Sequence, residues 1–269
     1  SLPNIYQSTT LLAPYKTSDN ISSSLRGYSN LANIAGVNLS PESSESNSVK
    51  AKQKLYSLSF FERNILPNIF LPDLMAVDSW DADTNKIIYD ENIYDASSGK
   101  WVRDFQYPQK LIPSAQEGYK IFSEMHLTIS EDNMTGFIAM SVKHQSPFIA
   151  KEWAELIVSE INNFYREKDK AEAERSVTFL NDQIAKTNLA EMKEVVANLL
   201  QQETQKLMLV EANESYVYEY IDPPALMEKK SEPSRLIICI IGFMMGGIFG
   251  ILYVLLRHYG RKEIFSRSK

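Results

Sequence analysis

The apolar positions of this chain recur at two spacings, and each spacing predicts one kind of secondary structure. Alternating or β-forming residues predict four strands, at Tyr6–Leu12, Ile121–Ser130, Phe137–Lys143 and Ser215–Ile221. The second and third strands are separated by EDNMTG, whose Asp-Asn pair and Gly can supply the positive-φ positions of a hairpin turn. Residues 78–118 follow neither spacing, so they predict an irregular surface elaboration with packed aromatic residues at Trp80, Trp101 and Tyr107.

Helical spacing appears in several segments, and one of these is unusually long. The first part of the chain predicts short elements: helices at 25–35 and 55–74, a mobile loop at 40–48, and breaks at Pro67 and Pro72. Further along, Ser146 and Pro147 mark a clean helix start, and the pattern then runs to Lys186. Forty residues of helix reach about 60 Å, about twice the diameter of a small domain, so this helix must project.

A second helix is predicted from Leu189 to about Glu211, and the short turn between the two helices requires them to pack antiparallel. The middle of the first helix, REKDKAEAER at 166–175, carries eight charges in ten residues, more than an ordinary core could bury. Opposite charges four positions apart favour an unbroken helix through this segment, at Lys168–Glu172 and Lys170–Glu174. A solvated helix face is the simplest interpretation of the charge run.

Residues 236–256 form the most informative pattern, an apolar run of 21 residues without a charge. As a helix this run would reach about 31 Å, which matches the ~30 Å hydrocarbon core of a bilayer. A buried core helix is the alternative, but such a helix would carry a polar stripe, which this run lacks. We therefore predict a transmembrane helix at 235–256. Glycines that would permit close helix packing in lipid lie on one face, at Gly242, Gly246 and Gly250 with Gly247 beside them.

The charges around this run predict its orientation. The tail after the run has a net charge of +4 and the segment just before it has +1, so the positive-inside rule places 257–269 in the cytoplasm. Residues 1–234 then lie outside, and because a single C-terminal span cannot export them, we expect a further membrane span before Ser1. These residues hold 22 basic and 33 acidic side chains, a balance that disfavours binding to nucleic acid or to anionic lipid headgroups.

Candidate catalytic or metal-binding chemistry is sparse. The single Cys239 excludes an intrachain disulfide and a multi-cysteine metal site. The three histidines, His126, His144 and His258, lie in different predicted elements, which favours structural or solvated roles over catalysis or metal binding. The SSGK segment at 97–100 lacks the flanking residues of a phosphate-binding loop. We therefore predict that the chain is not an enzyme and has no cofactor and no bound metal.

Several segments, taken in order, resemble the polysaccharide co-polymerases, the Wzz or chain-length-determinant family. They are LPNIYQSTTLLAP at the start, ISEDNMTGFIAMSVKHQSPFIA at 129–150, FLNDQI at 179–184, YVYEYIDPP at 216–224 and the glycine-bearing last span. The resemblance covers nearly the whole chain and is carried by the ordered set of segments. The membrane-proximal linker, with Pro223, Pro224 and Pro233, departs from the family in being more charged than a plain proline-rich linker.

The resemblance implies an α+β fold with two membrane helices around a periplasmic base, a long helical hairpin, and several copies packed into a ring. The chain would then divide into a base (1–146), the hairpin (147–214), a return strand and linker (215–234), the transmembrane helix (235–256) and a cytoplasmic tail (257–269). In such a ring the charges of the hairpin would face solvent or line the wall between subunits. The candidate inter-subunit charges are Arg166, Lys168, Lys170, Glu172, Glu174 and Arg175.

The resemblance also implies a function at the bacterial inner membrane without bond chemistry. The family acts with the integral-membrane O-antigen polymerase to set the modal number of repeat units of lipopolysaccharide O-antigen. The implied partners are further copies of the chain, the polymerase and the membrane, with the lipid-linked glycan as a further candidate and no nucleic acid. Two alternatives stay open: length control of another glycan, such as common antigen or capsule, and a periplasmic adaptor in polysaccharide export.

Overall fold

The centre of the protein is a four-stranded antiparallel sheet. The computed structural model describes residues 3–15, 44–187, 189–212, 215–234, 240, 243–250 and 252–253. The sheet has the order β6-β7-β1-β8, with β1 (Tyr6–Pro14), β6 (Leu127–Glu131), β7 (Ile138–His144) and β8 (Tyr218–Asp222). Because β1 and β8 are neighbours, the sheet joins the beginning and the end of the described base.

Two predicted strands are shorter than expected. Residues 121–126 are helical because Ser114 forms a capping box with Glu117 and starts helix α4 (Ala115–Ile121), which continues as a π-helical turn to His126. Strand β6 therefore begins at Leu127. The predicted alternation of Ser215–Ile221 is also wrong, because β8 lies at the edge of the sheet and only Tyr218, its first residue, is buried.

The β6–β7 hairpin is confirmed, but the residues of its turn have different roles from those predicted. Leu127 faces Val142 across the two strands. Within the turn, the positive φ falls on Gly136, at 70°, and not on the Asp-Asn pair. Asp132 contributes through its carboxylate, which accepts hydrogen bonds from the Met134 N–H at 2.9 Å and from the Thr135 hydroxyl at 2.8 Å.

The long helix is present without a break. It is α5 (Pro147–Lys186), 40 residues with the predicted bounds. Its first turns pack on the sheet and form the main core with the inward side chains of β1 and β7, including Trp153, Ile157, Ile161, Leu12, Met140 and Val142. The helix therefore belongs to the base over its first turns and to the hairpin beyond them.

Short helices cover the other side of the core. They are α1 (Ser44–Leu55), α2 (Leu58–Phe60, continuing through π-helical and 3-10 turns to Asn68) and α3 (Leu71–Met75). The loop predicted at 40–48 is wrong from Ser44 onward. Over residues 48–55, α1 buries a narrow stripe at Ser48, Ala51 and Leu55, which leaves little apolar signal. Pro72 stands in the first turn of α3 and does not interrupt it. The helix predicted at 25–35 lies outside the described residues.

The segment predicted to be irregular contains two small hairpins. They are β2 (Val77–Asp81) with β3 (Lys86–Tyr89), and β4 (Tyr94–Asp95) with β5 (Lys100–Trp101). Strands of two to five residues are too short to show a period, and their turns are held by local features such as the Asn85 φ of 52° and the Gly99 φ of 68°. Trp80 and Trp101 pack against other rings as expected, whereas Tyr107 is 94% exposed.

The second hairpin helix is α6 (Ala190–Ala212), which packs antiparallel to α5 as predicted. Lys170 Nζ of α5 lies 2.9 Å from Glu211 Oε1, near the end of α6. Lys170 therefore forms its ion pair across the hairpin and not with Glu174, four residues along. Lys168 lies 5.8 Å from the centre of the Tyr165 ring in place of the expected ion pair within α5.

Candidate functional site

The chain returns from β8 along the side of β1. The buried hydroxyls of Thr10 and Ser8 donate to the backbone carbonyls of Asp222 at 2.7 Å and Ala225 at 2.9 Å. Further along, the Ile5 N–H donates to the carbonyl of residue 232 at 3.0 Å, and the N–H of residue 231 donates to the Ile5 carbonyl at 2.8 Å. The segment that precedes the apolar run is therefore fixed to the beginning of β1.

Two side-chain contacts strengthen this junction. Lys143 Nζ of β7 lies 2.6 Å from Glu232 Oε1, and Lys230 Nζ donates to Asn4 Oδ1 at 3.0 Å. We call this end of the sheet, comprising residues 4–6, 143–148 and 230–232, the entry edge. The polypeptide enters and leaves the base there, and α5 also begins there because His144 pairs with Tyr6.

The opposite end of α5 forms the hairpin. Tyr216 donates its hydroxyl to Asp169 Oδ2 at 2.6 Å, which joins α5 to the segment before β8. Burial, and then the hydrogen bond to Asp169, raise the pKa of Tyr216. Beyond Asp169, α5 continues for 17 residues to Lys186, or about 26 Å. We call α5 beyond Asp169, together with α6, the outer hairpin.

Asn162 fixes the return of the chain from the hairpin to the sheet. Its Oδ1 accepts hydrogen bonds from the N–H groups of Val217 at 2.8 Å and Tyr218 at 2.9 Å, and its Nδ2 donates to the Tyr218 carbonyl at 3.0 Å. The side chain is buried on the inner face of α5, beside Ile161. Sequence reasoning missed this residue, although one amide among apolar core positions was the signal that could have revealed it.

The six candidate inter-subunit charges are divided between two environments. Lys168, Glu172, Glu174 and Arg175 are exposed on the hairpin. Arg166 and Lys170 are half-buried: Arg166 Nη1 donates to Asn163 Oδ1 at 3.4 Å, and Lys170 pairs with Glu211. The structure therefore presents four of the six charges to the surroundings and uses two of them within the chain.

Apolar side chains are also exposed near the tip of the outer hairpin. Phe179 is 61% exposed, Leu189 in the turn 66% and Met192 in the first turn of α6 49%. All three lie within about 11 Å of the end of α5 along the helix axis, at 1.5 Å per residue. Exposed apolar groups concentrated in one place mark contact surfaces more often than scattered ones do.

The predicted transmembrane helix is only partly described. Residues 240, 243–250 and 252–253 are helical, and the rest of 235–256, including Gly242, lies outside the described residues. A search of the described part of the chain finds no helix with the length and apolar character needed to cross a membrane. At Gly246, Gly247 and Gly250, an added side chain would meet no atom of the described residues within 4 Å, so the described part of the chain leaves these three glycines uncovered.

Two of the three histidines come together in the core, which the sequence did not show. The rings of His126 and His144 lie 5.7 Å apart, and Trp153 lies 5.4 and 5.1 Å from them. His144 Nδ1 accepts the Ser146 N–H at 2.9 Å, and its Nε2 donates to the Asp73 carbonyl at 2.9 Å. The ring thus binds the N–H of Ser146, the N-cap residue of α5, whose own hydroxyl makes no capping hydrogen bond.

These hydrogen bonds define the chemistry of the pair. Accepting at Nδ1 and donating at Nε2 requires neutral imidazole in His144. Burial lowers the pKa of both rings, that of His144 to about 4. Among the described residues, no group of three His, Cys, Asp or Glu side chains is placed to hold a metal ion. In the base, the two rings pack against Trp153, and His144 joins the start of α5 to Asp73.

Comparison with solved structures finds polysaccharide co-polymerases among the chains that match. The fold matches a fragment of WzzB, the polysaccharide co-polymerase from Salmonella Typhimurium, at 16% identity over 85% of this chain and 100% of that chain, with a TM-score of 0.34. It also matches a full-length bacterial polysaccharide co-polymerase at 12% identity over 97% and 88%, with a TM-score of 0.36. No family profile and no curated protein matches the chain. Both structures belong to the family that the sequence resembles, and scores of this size carry no argument about activity.

Proposed function

We propose that this chain regulates the length of a surface polysaccharide, without bond chemistry of its own, as an oligomeric scaffold in the bacterial inner membrane. The observation that carries the proposal is the course of α5, one unbroken helix of 40 residues. It begins at the entry edge, where the chain also leads into the apolar run, and it ends at the tip of the outer hairpin. One rigid element thus connects the membrane side of the base with a point about 60 Å away.

The apolar run supplies the orientation. Glu232 is fixed to β1, and the run begins four residues later, so the bilayer lies within about 14 Å of the entry edge. The positive-inside rule places the short basic tail in the cytoplasm, which puts the base and the hairpin in the periplasm. In this arrangement the base (1–146) stands against the membrane and the hairpin (147–214) points away from it.

The surface of the outer hairpin supports assembly of several copies. A two-helix hairpin standing beyond its domain has few partners for its side chains, and most helical stability in proteins comes from tertiary packing. Phe179, Leu189 and Met192 are exposed, and so are Lys168 and Glu172 on the wall of the hairpin. Neighbouring hairpins in a ring would cover these apolar groups and face these charges. The ring would act with the integral-membrane O-antigen polymerase on a lipid-linked glycan.

Deletion of the gene, followed by complementation, tests this function. In the deletion strain we expect the modal cluster of bands in the glycan ladder to disappear, while polymer still reaches the cell surface. Complementation with the intact gene should restore the cluster. The ladders of O-antigen, common antigen and capsule, examined separately, identify the glycan.

The same strains distinguish the competing functions. Loss of polymer from the surface, detected with an antibody to the glycan on intact cells, would replace length control by an adaptor role in export. An unchanged ladder for all three glycans, together with normal surface polymer, would contradict both functions.

Packing of the last helix gives a separate prediction. Gly246→Leu places a large side chain on the uncovered glycine face and should disturb close helix contacts in lipid. We expect a broadened or shifted modal band, with denaturant unfolding of the base unchanged. Ile248→Phe adds bulk on the opposite face of the same helix and serves as the control. Equal ladders for both variants would remove the packing role of the glycines.

A further inference from the structure

Three elements bring aromatic rings together at the entry edge. The Tyr6 ring, at the start of β1, lies 5.4 Å from the Trp80 ring of β2 in an edge-on arrangement. Trp80 in turn lies 6.4 Å from Phe148, the second residue of α5. The cluster is therefore built by the first strand, the inserted β2–β3 hairpin and the first turn of the long helix.

The described part of the chain does not close off the cluster. Phe148 is 45% exposed, and Tyr6 and Trp80 are half-buried. The Trp80 Nε1–H donates to Asn85 Oδ1 at 3.0 Å. Because this donor is satisfied inside the hairpin, the indole can enter a less polar environment without losing a hydrogen bond.

The returning chain places further apolar side chains beside the cluster. Leu226 is 44% exposed and Met227 is 37% exposed, between the contacts of Ala225 with Ser8 and of Lys230 with Asn4. Apolar and aromatic residues thus lie on both sides of the start of β1. The lysines that follow, Lys229 and Lys230, have flexible stems that can rest on apolar surface while their ammonium groups stay in water.

The position of the cluster identifies its partner. Tyr6 follows Ile5, which is hydrogen-bonded to residue 232, and the apolar run begins four residues beyond. The headgroup layer of a bilayer is about 5–8 Å thick on each side, and Trp and Tyr are enriched at that depth. The net acidic charge of the domain disfavours attraction to anionic headgroups, so the contact would depend on aromatic and apolar groups.

We propose that Tyr6, Trp80 and Phe148, bordered by Leu226 and Met227 of the returning chain, form a lipid-contact surface that seats the base on the periplasmic leaflet. This inference rests on the proposed membrane orientation. Because Phe148 belongs to the first turn of α5, the depth at which the cluster sits sets the distance between the bilayer and the start of this helix. The lipid-contact surface thereby fixes the height of the hairpin tip above the membrane.

Fluorescence quenching by brominated lipid tests the surface. The full chain is reconstituted into phosphatidylcholine liposomes with bromine on the upper part of the acyl chains. Its tryptophans are Trp80, Trp101 and the buried Trp153. We expect Trp80→Phe to remove most of the bromine-dependent quenching. Trp101→Phe, in the second hairpin of the same insertion, should leave it in place, and equal quenching of both variants would overturn the proposal.

A second variant keeps the test decisive if Trp80→Phe alters the fold. Phe148→Asp changes an exposed side chain within the cluster and should lower the bromine-dependent quenching of Trp80 at least two-fold, while the protein still floats with the liposomes. Unchanged quenching in this variant would also contradict the lipid contact. Failure of the wild-type chain to float with the liposomes would instead contradict its proposed insertion in the membrane. This outcome is distinguishable from a protein that floats but shows no quenching of Trp80.

Discussion

Replacing Asn162 with leucine is expected to lower the free energy of unfolding by about 3–6 kcal/mol, because it leaves three buried backbone groups without partners. Those groups are the N–H of Val217 and both the N–H and the carbonyl of Tyr218. They lie where the chain passes from the hairpin into β8, and a loss of this size approaches the whole stability of a typical domain. Urea unfolding of the full chain in detergent, followed by the fluorescence of buried Trp153, measures the effect.

The neighbouring residue provides a matched control. Asn163 is half-buried on the same turn of α5, and its carboxamide accepts a 3.4 Å hydrogen bond from Arg166. Asn163→Leu should therefore cost about 1 kcal/mol or less. Equal stability of the two leucine variants would contradict the role assigned to Asn162.

Acidification should destabilise the base through His144, by up to about 3 kcal/mol. Burial lowers the pKa of His144 to about 4 in the folded protein, below its ordinary value near 6.5. Between these two pH values the unfolded chain binds a proton that the folded protein excludes. The contribution of the neutral ring is therefore fully present above about pH 6.5 and is lost progressively as the pH falls to about 4.

A variant isolates this effect from other titrating groups. Burial raises the pKa of Asp73, so its protonation changes stability in the opposite direction. His144→Gln cannot titrate, and it should be less stable than the wild type at pH 8 because one glutamine cannot replace both hydrogen bonds of the ring. The difference in unfolding free energy between the two proteins should narrow from pH 6.5 to 4. If the unfolding free energies of the two proteins changed in parallel over that range, His144 would not be the source of the acid destabilisation.

Long, regular patterns made the main architecture predictable from the sequence. Helix α5 has the predicted bounds because Ser146 and Pro147 mark its start and an apolar stripe continues on both sides of the charged segment. The β6–β7 hairpin has its turn at the predicted place because Gly136 provides the positive φ that the turn needs. In both cases the signal extends over many residues or depends on a residue with few conformational alternatives.

Short and distributed features were not predictable. Strands β2 to β5 have at most five residues, too few to show a period, and α1 buries Ser48 and Ala51, which give little apolar signal, before Leu55 at its end. The contacts of Asn162 join positions 55 residues apart, and the histidine pair forms only when β7 lies beside the end of α4. The entry edge likewise depends on the pairing of residues 5 and 232, which no local pattern encodes.

Electron microscopy of the purified full chain in lipid nanodiscs tests the central claim most directly. The claim is that several copies stand upright in one bilayer, with the entry edge on the lipid and the outer hairpin pointing away. We predict closed rings in which the sheets lie against the disc and the hairpin tips stand about 60 Å above the start of α5. Single copies, or hairpins lying flat along the disc surface, would contradict the account.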